Sequence, residues 1–273
     1  GITAWLINGR LSHKTKNFFT FCYHWGRLIF GGFDVITAQS SAMQKLLTPL
    51  SQRSVALLGN LKRVKKHAPP NQQLLSFYRR LIGRRRPLVF SCCHSGEEKV
   101  VLDLHRLNPT LLDDFFTIVV PRHPAETRWR GSFTAAANRI GLHQDHLFTV
   151  SLFGHLPSLY HLSPLVLLGG SWLNRGGHNP GEALEKGALV IHGPCIDNDQ
   201  EFYHQARQRN LTHLATDSAA IKKTLDWFYR LPPARRRQLK TAAQHIGKEQ
   251  GQGIMARYRT LLVPRWKKIM EQP

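Results

Sequence analysis

The sequence predicts an α/β chain of two doubly wound, parallel-sheet domains, the first of them incomplete. Short runs rich in Val, Ile, Leu and Phe alternate with helical stretches along all 273 residues. The runs are nearly continuously apolar, as parallel strands covered on both faces require. A basic, polar stretch at 62–87, holding Pro69, Pro70 and Arg84-Arg85-Arg86-Pro87, divides them unequally.

Before that stretch the candidate strands are 3–8, 34–39 and 54–59, too few for a complete doubly wound sheet. After it come 88–93, 117–121, 147–151, 165–169, 189–192 and 213–215, enough for a whole one. The expected domains are therefore 1–86, the back part of a first domain with its linker, and 87–250, a complete second domain. Residues 251–273 are expected to form a C-terminal helix packing back toward the first domain. The helical, basic segment 232–270 should break near Gly251–Gly253 and at Pro264. Because the chain opens at Gly1 directly into an apolar run, the start of the first domain is expected to be absent.

Lys and Arg number 38 against 17 Asp and Glu, a net charge of +21. The excess is clustered at 62–66, 79–86, 235–237 and 265–268, and points to an anionic partner. Nucleic acid would call for basic residues interleaved with stacking aromatics. Here the aromatics sit mainly in apolar runs, so no nucleic acid is expected. Cys22, Cys92, Cys93 and Cys195 follow no redox or zinc spacing. The fifteen histidines form no HExxH or HxH cluster, so neither metal nor cofactor is expected. No apolar run reaches the roughly 18–20 residues that span a bilayer.

The strongest motif is Gly169-Gly170-Ser171, followed after four intervening residues by Gly176-Gly177-His178-Asn179-Pro180-Gly181-Glu182. A strand runs into the first glycines and a helix follows Asn179. Glycines let backbone amides approach a phosphate, and a helix N-terminus adds partial positive charge. Glu182, in the first turn, can accept from both ribose hydroxyls; a carboxylate there also complements the helix dipole. Glu97 and Glu98, adjacent at another helix start, point in different directions. They suit a structural or substrate-ordering role better than an acid–base pair.

This string resembles the nucleotide-binding signature of 3-deoxy-D-manno-octulosonic acid (Kdo) transferases. Other elements follow in that family's order. Asn8-Gly9-Arg10-Leu11-Ser12 resembles NARLS, with Gly9 where alanine is usual; Ala38-Gln39-Ser40 and Gly59-Asn60-Leu61-Lys62 resemble AQS and GNLK. His94-x-Gly96-Glu97-Glu98 resembles THxGEE, with Cys92-Cys93 for the usual Ser-Thr, and Pro121-Arg122-His123-Pro124 matches PRHP. Gly154-x-Leu156-x2-Leu159-Tyr160 resembles GEL-x2-LY with His155 for glutamate. Gly193-Pro194-x3-Asn198 resembles GP-x3-NF with Asp199 for phenylalanine.

The resemblance covers essentially the whole chain. It implies the GT-B fold, two Rossmann-like domains, and transfer of Kdo from CMP-Kdo to a lipid A precursor in lipopolysaccharide synthesis. The setting would be the cytoplasmic face of a Gram-negative inner membrane, with the anionic membrane surface as a further partner. Pro121 and Arg122 would meet the CMP phosphate, Arg122 through its planar guanidinium. Phe153, Gly154 and His155 would line the cytosine side through main-chain contacts. Gly170, Ser171, Gly177, His178, Asn179, Pro180, Gly181 and Glu182 would hold phosphate and ribose, and Lys62 would stabilise transition-state charge. The family's general base lies in an SxGE element upstream of NARLS. None precedes Asn8 here, so this chain alone is expected to lack transfer activity. Another GT-B nucleotide-sugar transferase is the same-fold alternative, and a basic nucleic-acid-binding protein the alternative from another class. Cytidine nucleotide binding against salt-dependent DNA binding separates them.

Overall fold

The structure, a computed structural model, describes residues 2–64, 68–124 and 127–271, apart from the side chains of residues 13, 14, 62, 127 and 128. All nine candidate strands form, within a residue or two of the expected limits at most ends, and they fall into two sheets. The chain divides into two units, Gly1–Lys66 with Glu249–Pro273, and His67–Lys248.

In the first unit β1 (Trp5–Gly9), β2 (Val35–Ala38) and β3 (Val55–Leu57) pair in parallel, in the order β1-β2-β3. Helices His13–Phe21 and Tyr23–Gly31 join β1 to β2, and Ser41–Ser51 joins β2 to β3. Two of the short sequence elements have local structural explanations. Ser12 and Ser40 are N-caps, accepting from the amides of Thr15 and Met43. Asn8, at φ 59°, accepts from the Leu61 amide at 3.1 Å and donates to Asn60 at 3.4 Å. The NGRLS and GNLK elements are thereby tied together. Phe19, Phe30, Ile36, Leu47, Leu50 and Val55 make the core. Ile254 and Tyr258 pack on Leu58, and the Tyr258 hydroxyl lies 3.3 Å from both Thr37 Oγ1 and the Gly59 carbonyl.

The second unit holds β4 (Arg86–Cys93), β5 (Phe115–Pro121), β6 (Leu147–Thr149), β7 (Leu165–Leu168), β8 (Leu189–His192) and β9 (Thr212–Leu214). All pairs are parallel and the order is β6-β5-β4-β7-β8-β9. The sheet thus winds outward in both directions from β4 and β7, the dinucleotide-fold order, with its switch point between them. Every residue of β5, β7 and β8 is buried, which is why these strands read as unbroken apolar runs.

Two expectations change. The stretch expected to be linker up to residue 86 contains helix Gln72–Ile82, whose Leu75, Tyr78 and Ile82 are buried. Tyr78 and Ile82 belong to the second unit's core. The division therefore falls at 66/67, because an amphipathic helix with arginines on its outer face looks like a basic linker in sequence. Nor does the C-terminal segment break: Pro233–Met270 is one helix. A Cβ at Gly251 would stand 2.9 Å from the Arg63 carbonyl oxygen. That glycine serves close packing of backbone on backbone, not a helix stop.

Candidate functional site

Open parallel sheets bind ligands beyond the carboxyl ends of their strands at the switch point, here the loops after β4 and β7. At the end of β4 the register slips between Ser91 and Cys93, and Cys92 adopts φ 54°. Its carbonyl oxygen then lies where a Cβ at Gly169 would approach to 2.3 Å. Only glycine can follow β7 at that point.

The Glu97 carboxylate, 1% exposed, is the centre of this crossing. One oxygen accepts from the amides of His94 at 3.0 Å and Gly170 at 2.7 Å; the other accepts from Trp172 at 3.0 Å. The Gly169 amide donates to Ser91 at 2.8 Å. This corrects the expected phosphate cradle, since the amides of Gly169, Gly170 and Trp172 are already engaged by the protein. Ser171 is likewise internal: its hydroxyl donates to the Leu168 carbonyl and accepts from the Gly193 amide, at 2.7 and 2.9 Å. Gly170 and Ser171 shape the loop by these contacts. Glu97 is a structural keystone, and Glu98 accepts from the Gly96 amide at 2.6 Å.

The second glycine pair is fastened from behind. Gly177 donates to the Gly170 carbonyl at 2.8 Å, at φ +73° and with Cys195 O 2.8 Å from a would-be Cβ. The Asn198 side chain donates to the carbonyls of Arg175 and Gly177, both at 3.1 Å, and its amide reaches Gly176. Tyr203 donates to the His178 carbonyl at 2.7 Å. Asn179 accepts from the Gly181 amide at 2.9 Å, with Pro180 buried before it. The helix that follows is only Gly181–Glu185. So short a helix has little macrodipole, and side-chain charge must supply most of the attraction for an anion.

That charge is present. Arg122, exposed on the loop after β5 with its amide on the Cys93 carbonyl at 2.8 Å, acts electrostatically on Cys92, His94 and His178. His94 and His178 lie with rings parallel and their Nε2 atoms 2.9 Å apart, one donating to the other. Burial lowers both. His178 falls to about 4, helped by the charges of His94, Arg122 and His123, while Glu97 raises and Arg175 lowers His94. The pair is neutral at pH 7. Burial pushes the Cys92 thiol up to about 12; Arg122 opposes this and Glu182 adds to it. Arg122, His178 and half-buried Glu182 thus share one neighbourhood around the end of β4, with Pro121 buried behind.

Phe153, Gly154 and His155 stand at the same sheet edge on the loop after β6, with Phe153 74% exposed. His155 precedes helix Leu156–Leu162 and is held by the Tyr78 hydroxyl, 2.6 Å from its Nδ1. Lys62 lies in the short 3-10 turn Leu61–Val64 of the first unit, its side chain outside the described residues. Among the described residues there is no cluster of metal ligands. Sequence reasoning missed the anchoring by Asn198 and the part played by His94. Both sit in the quoted elements GP-x3-N and HxGEE, so those elements held the signal without its meaning.

Two units of parallel sheet, the second doubly wound with a glycine-bordered switch point, give the chain the GT-B fold of glycosyltransferases. Solved structures agree: a glycosyltransferase from Rickettsia africae superposes with TM-score 0.65 over 97% of this chain and 69% of its own, at 12% identity. Anabaena HepE, solved with UDP and glucose, gives 0.63 over 96% and 71%, at 14% identity.

In sequence the chain is similar to 3-deoxy-D-manno-octulosonic acid transferases. It is 27% identical to that of Rickettsia felis over 213 residues, 72% of this chain and 44% of the relative. With that of Rickettsia bellii it shares 23% over 271 residues, 93% and 62%. The C-terminal CMP-Kdo binding domain of WaaA from Acinetobacter baumannii superposes with TM-score 0.54 at 22% identity, over 68% of this chain and 96% of that domain. No protein-family model matches. The chain spans about half the length of the curated relatives it matches.

Proposed function

We propose that the second unit binds the cytidine nucleotide sugar CMP-Kdo, and that the protein transfers Kdo from it to a lipid A precursor. The observation that carries this reading is that Arg122 acts electrostatically on both Cys92 and His178, and Glu182 on Cys92, around the switch point of the six-stranded sheet. The Arg122 guanidinium suits a phosphate that becomes a leaving group, whose charge must be neutralised, and a neutral imidazole beside it can donate a hydrogen bond. Glu182 suits paired ribose hydroxyls, and the Phe153–His155 loop at the same edge suits the base. Glu97 and Glu98 accept backbone amides, which suits them to holding the loop rather than to serving as the general base. Acceptor activation is assigned to a carboxylate outside the second unit.

The anionic acceptor and a membrane setting fit the +21 charge. They also fit the first unit's exposed Phe21, Trp25 and Leu28, which stand beside Arg27. No helix among the described residues is long and apolar enough to cross a membrane; the setting proposed with this activity is the cytoplasmic face of the bacterial inner membrane.

Calorimetric titration with CMP tests the donor assignment. Glu182→Ala should weaken CMP binding by about 1.5–3 kcal/mol, the loss of charge-assisted hydrogen bonds. Unchanged affinity would remove Glu182 from the ribose. Arg122→Lys should weaken CMP clearly and cytidine much less, since lysine cannot make a planar two-point contact to phosphate. If both ligands weaken equally, Arg122 supports the loop and does not read the phosphate. Failure of the wild type to bind CMP at all would overturn the reading.

A further inference from the structure

At the opposite, amino-terminal edge of the same sheet lies a cavity of about 240 Å³. Pro164, which precedes β7, Leu189, which opens β8, and Phe228 form an apolar floor, and Arg236, Arg237 and Lys240 stand around it. It belongs wholly to the second unit and shares no residue with the site at the switch point.

Three features of this cavity go together. First, Arg236 Nε is buried with no hydrogen-bond partner. A buried guanidinium nitrogen without an acceptor is unfavourable, and its geometry suits a carboxylate or phosphate oxygen. Second, Arg235 and Arg236 lie in the first turn of helix Pro233–Met270, which has no acidic residue there, and Arg237 follows directly. Cations at the positive end of a long helix repel its dipole, an arrangement that an anion reverses. Third, no carboxylate among the described residues pairs with Arg236, Arg237 or Lys240. The positive field reaches His161, which burial and then Lys240, Arg79 and Lys186 lower. The floor excludes a plain inorganic anion as the best fit, because its lining is almost entirely apolar carbon beneath the cationic rim.

We propose that this cavity is a second binding site, specific for an amphipathic anion. A short alkyl chain would rest on Pro164, Leu189 and Phe228 while its phosphate or carboxylate head accepts from Arg236 Nε and meets Arg237 and Lys240. Such a ligand has two natural sources, a membrane phospholipid or a free acyl amphiphile, and the chemistry recognised is the same.

The test is titration of the whole chain with octyl phosphate below its micellar range, followed by calorimetry. Octyl phosphate should bind at least tenfold tighter than inorganic phosphate, and Arg236→Gln should weaken it about tenfold or more, with Lys240→Gln weakening it less. Neither variant should change CMP affinity, which separates this site from the donor site. Equal affinity for octyl and inorganic phosphate would overturn the proposal, because the floor would then contribute nothing. Unchanged octyl phosphate binding in both variants would overturn it as well. Competition by phosphatidylglycerol vesicles would support a membrane lipid as the natural occupant; retained binding without competition would support a free amphiphile.

Discussion

Replacing Glu97 by alanine should strip roughly 3–6 kcal/mol from the second unit, since three buried or part-buried amides lose a charged acceptor at once. That is a large share of the about 5–15 kcal/mol that holds an ordinary domain together. The amides of His94, Gly170 and Trp172 come from both sides of the switch point, so no single local rearrangement satisfies all three. Glu97→Gln keeps one acceptor oxygen but turns a second group into a donor facing donors, and should recover less than half of the loss. Hydrogen exchange is the direct readout. The three amides should be protected in the wild type and exchange far faster in both variants, with a lower melting temperature. A catalytic role for Glu97 predicts the reverse: stability within about 1 kcal/mol of wild type and unchanged exchange. Such a result would return Glu97 to the list of candidate bases.

Mild acid should weaken the same unit. Burial lowers His105, His178 and His192 to about 4 each. His105, 2% exposed, bonds Thr117 through Nε2 at 2.7 Å, while its Nδ1 is buried without a partner. His192, also 2% exposed, has Nδ1 on the Gly193 carbonyl at 2.7 Å and Nε2 buried without a partner. In each case the folded chain holds a neutral ring that the unfolded chain protonates near pH 6.5. As pH falls below that value the unfolded state takes up more protons, so stability falls with it. The loss begins near pH 6.5 and is complete only below about pH 4. At pH 5 each ring costs roughly 2 kcal/mol by this linkage. Urea unfolding at pH 7.5 and pH 5.0 should therefore show a large drop in midpoint. His105→Gln should show a smaller drop between the two pH values than the wild type. Equal midpoints at both pH values in the wild type would mean that these rings are hydrated.

Much of this was legible in the sequence, for a physical reason. Parallel strands buried on both faces carry no solvent-facing residues, so β4, β5, β7 and β8 stand out as apolar runs. The six-stranded sheet followed from counting them. Helix Gln72–Ile82 was hidden because its buried face is three residues, Leu75, Tyr78 and Ile82, set among polar and basic ones. Gly251 misled because a glycine that permits close packing and one that ends a helix look identical in sequence. In the candidate site the residue types could be read, but their partners could not. Nothing in the spacing reveals that the Gly170 and Trp172 amides face Glu97, or that Tyr78 holds His155. These contacts join segments far apart in the chain and exist only once the sheet has closed. The glycine string therefore suggested a phosphate cradle, although the protein's own carboxylate fills the first half of it.

The pairing of β4 with β7 also bears on how this unit comes into being. Val89 pairs with Val166, and β5 and β6 with their helices are threaded between them. Closing so long a loop loses chain entropy before any contact compensates, and topologies rich in such distant contacts fold slowly. The β4-β5-β6 half can assemble from neighbouring segments, as can the β7-β8-β9 half, but the seam between them must wait for both. Glu97 finds two of its three amides only across that seam. The candidate site would accordingly be among the last parts of the unit to mature, and nascent chains would pass through a stage with two half-sheets, each presenting an unpaired central edge. Until they meet, β4 and β7 of different molecules could also pair at high concentration, so the strand order that creates the crevice at the switch point also opens a route to exchange of halves between neighbours.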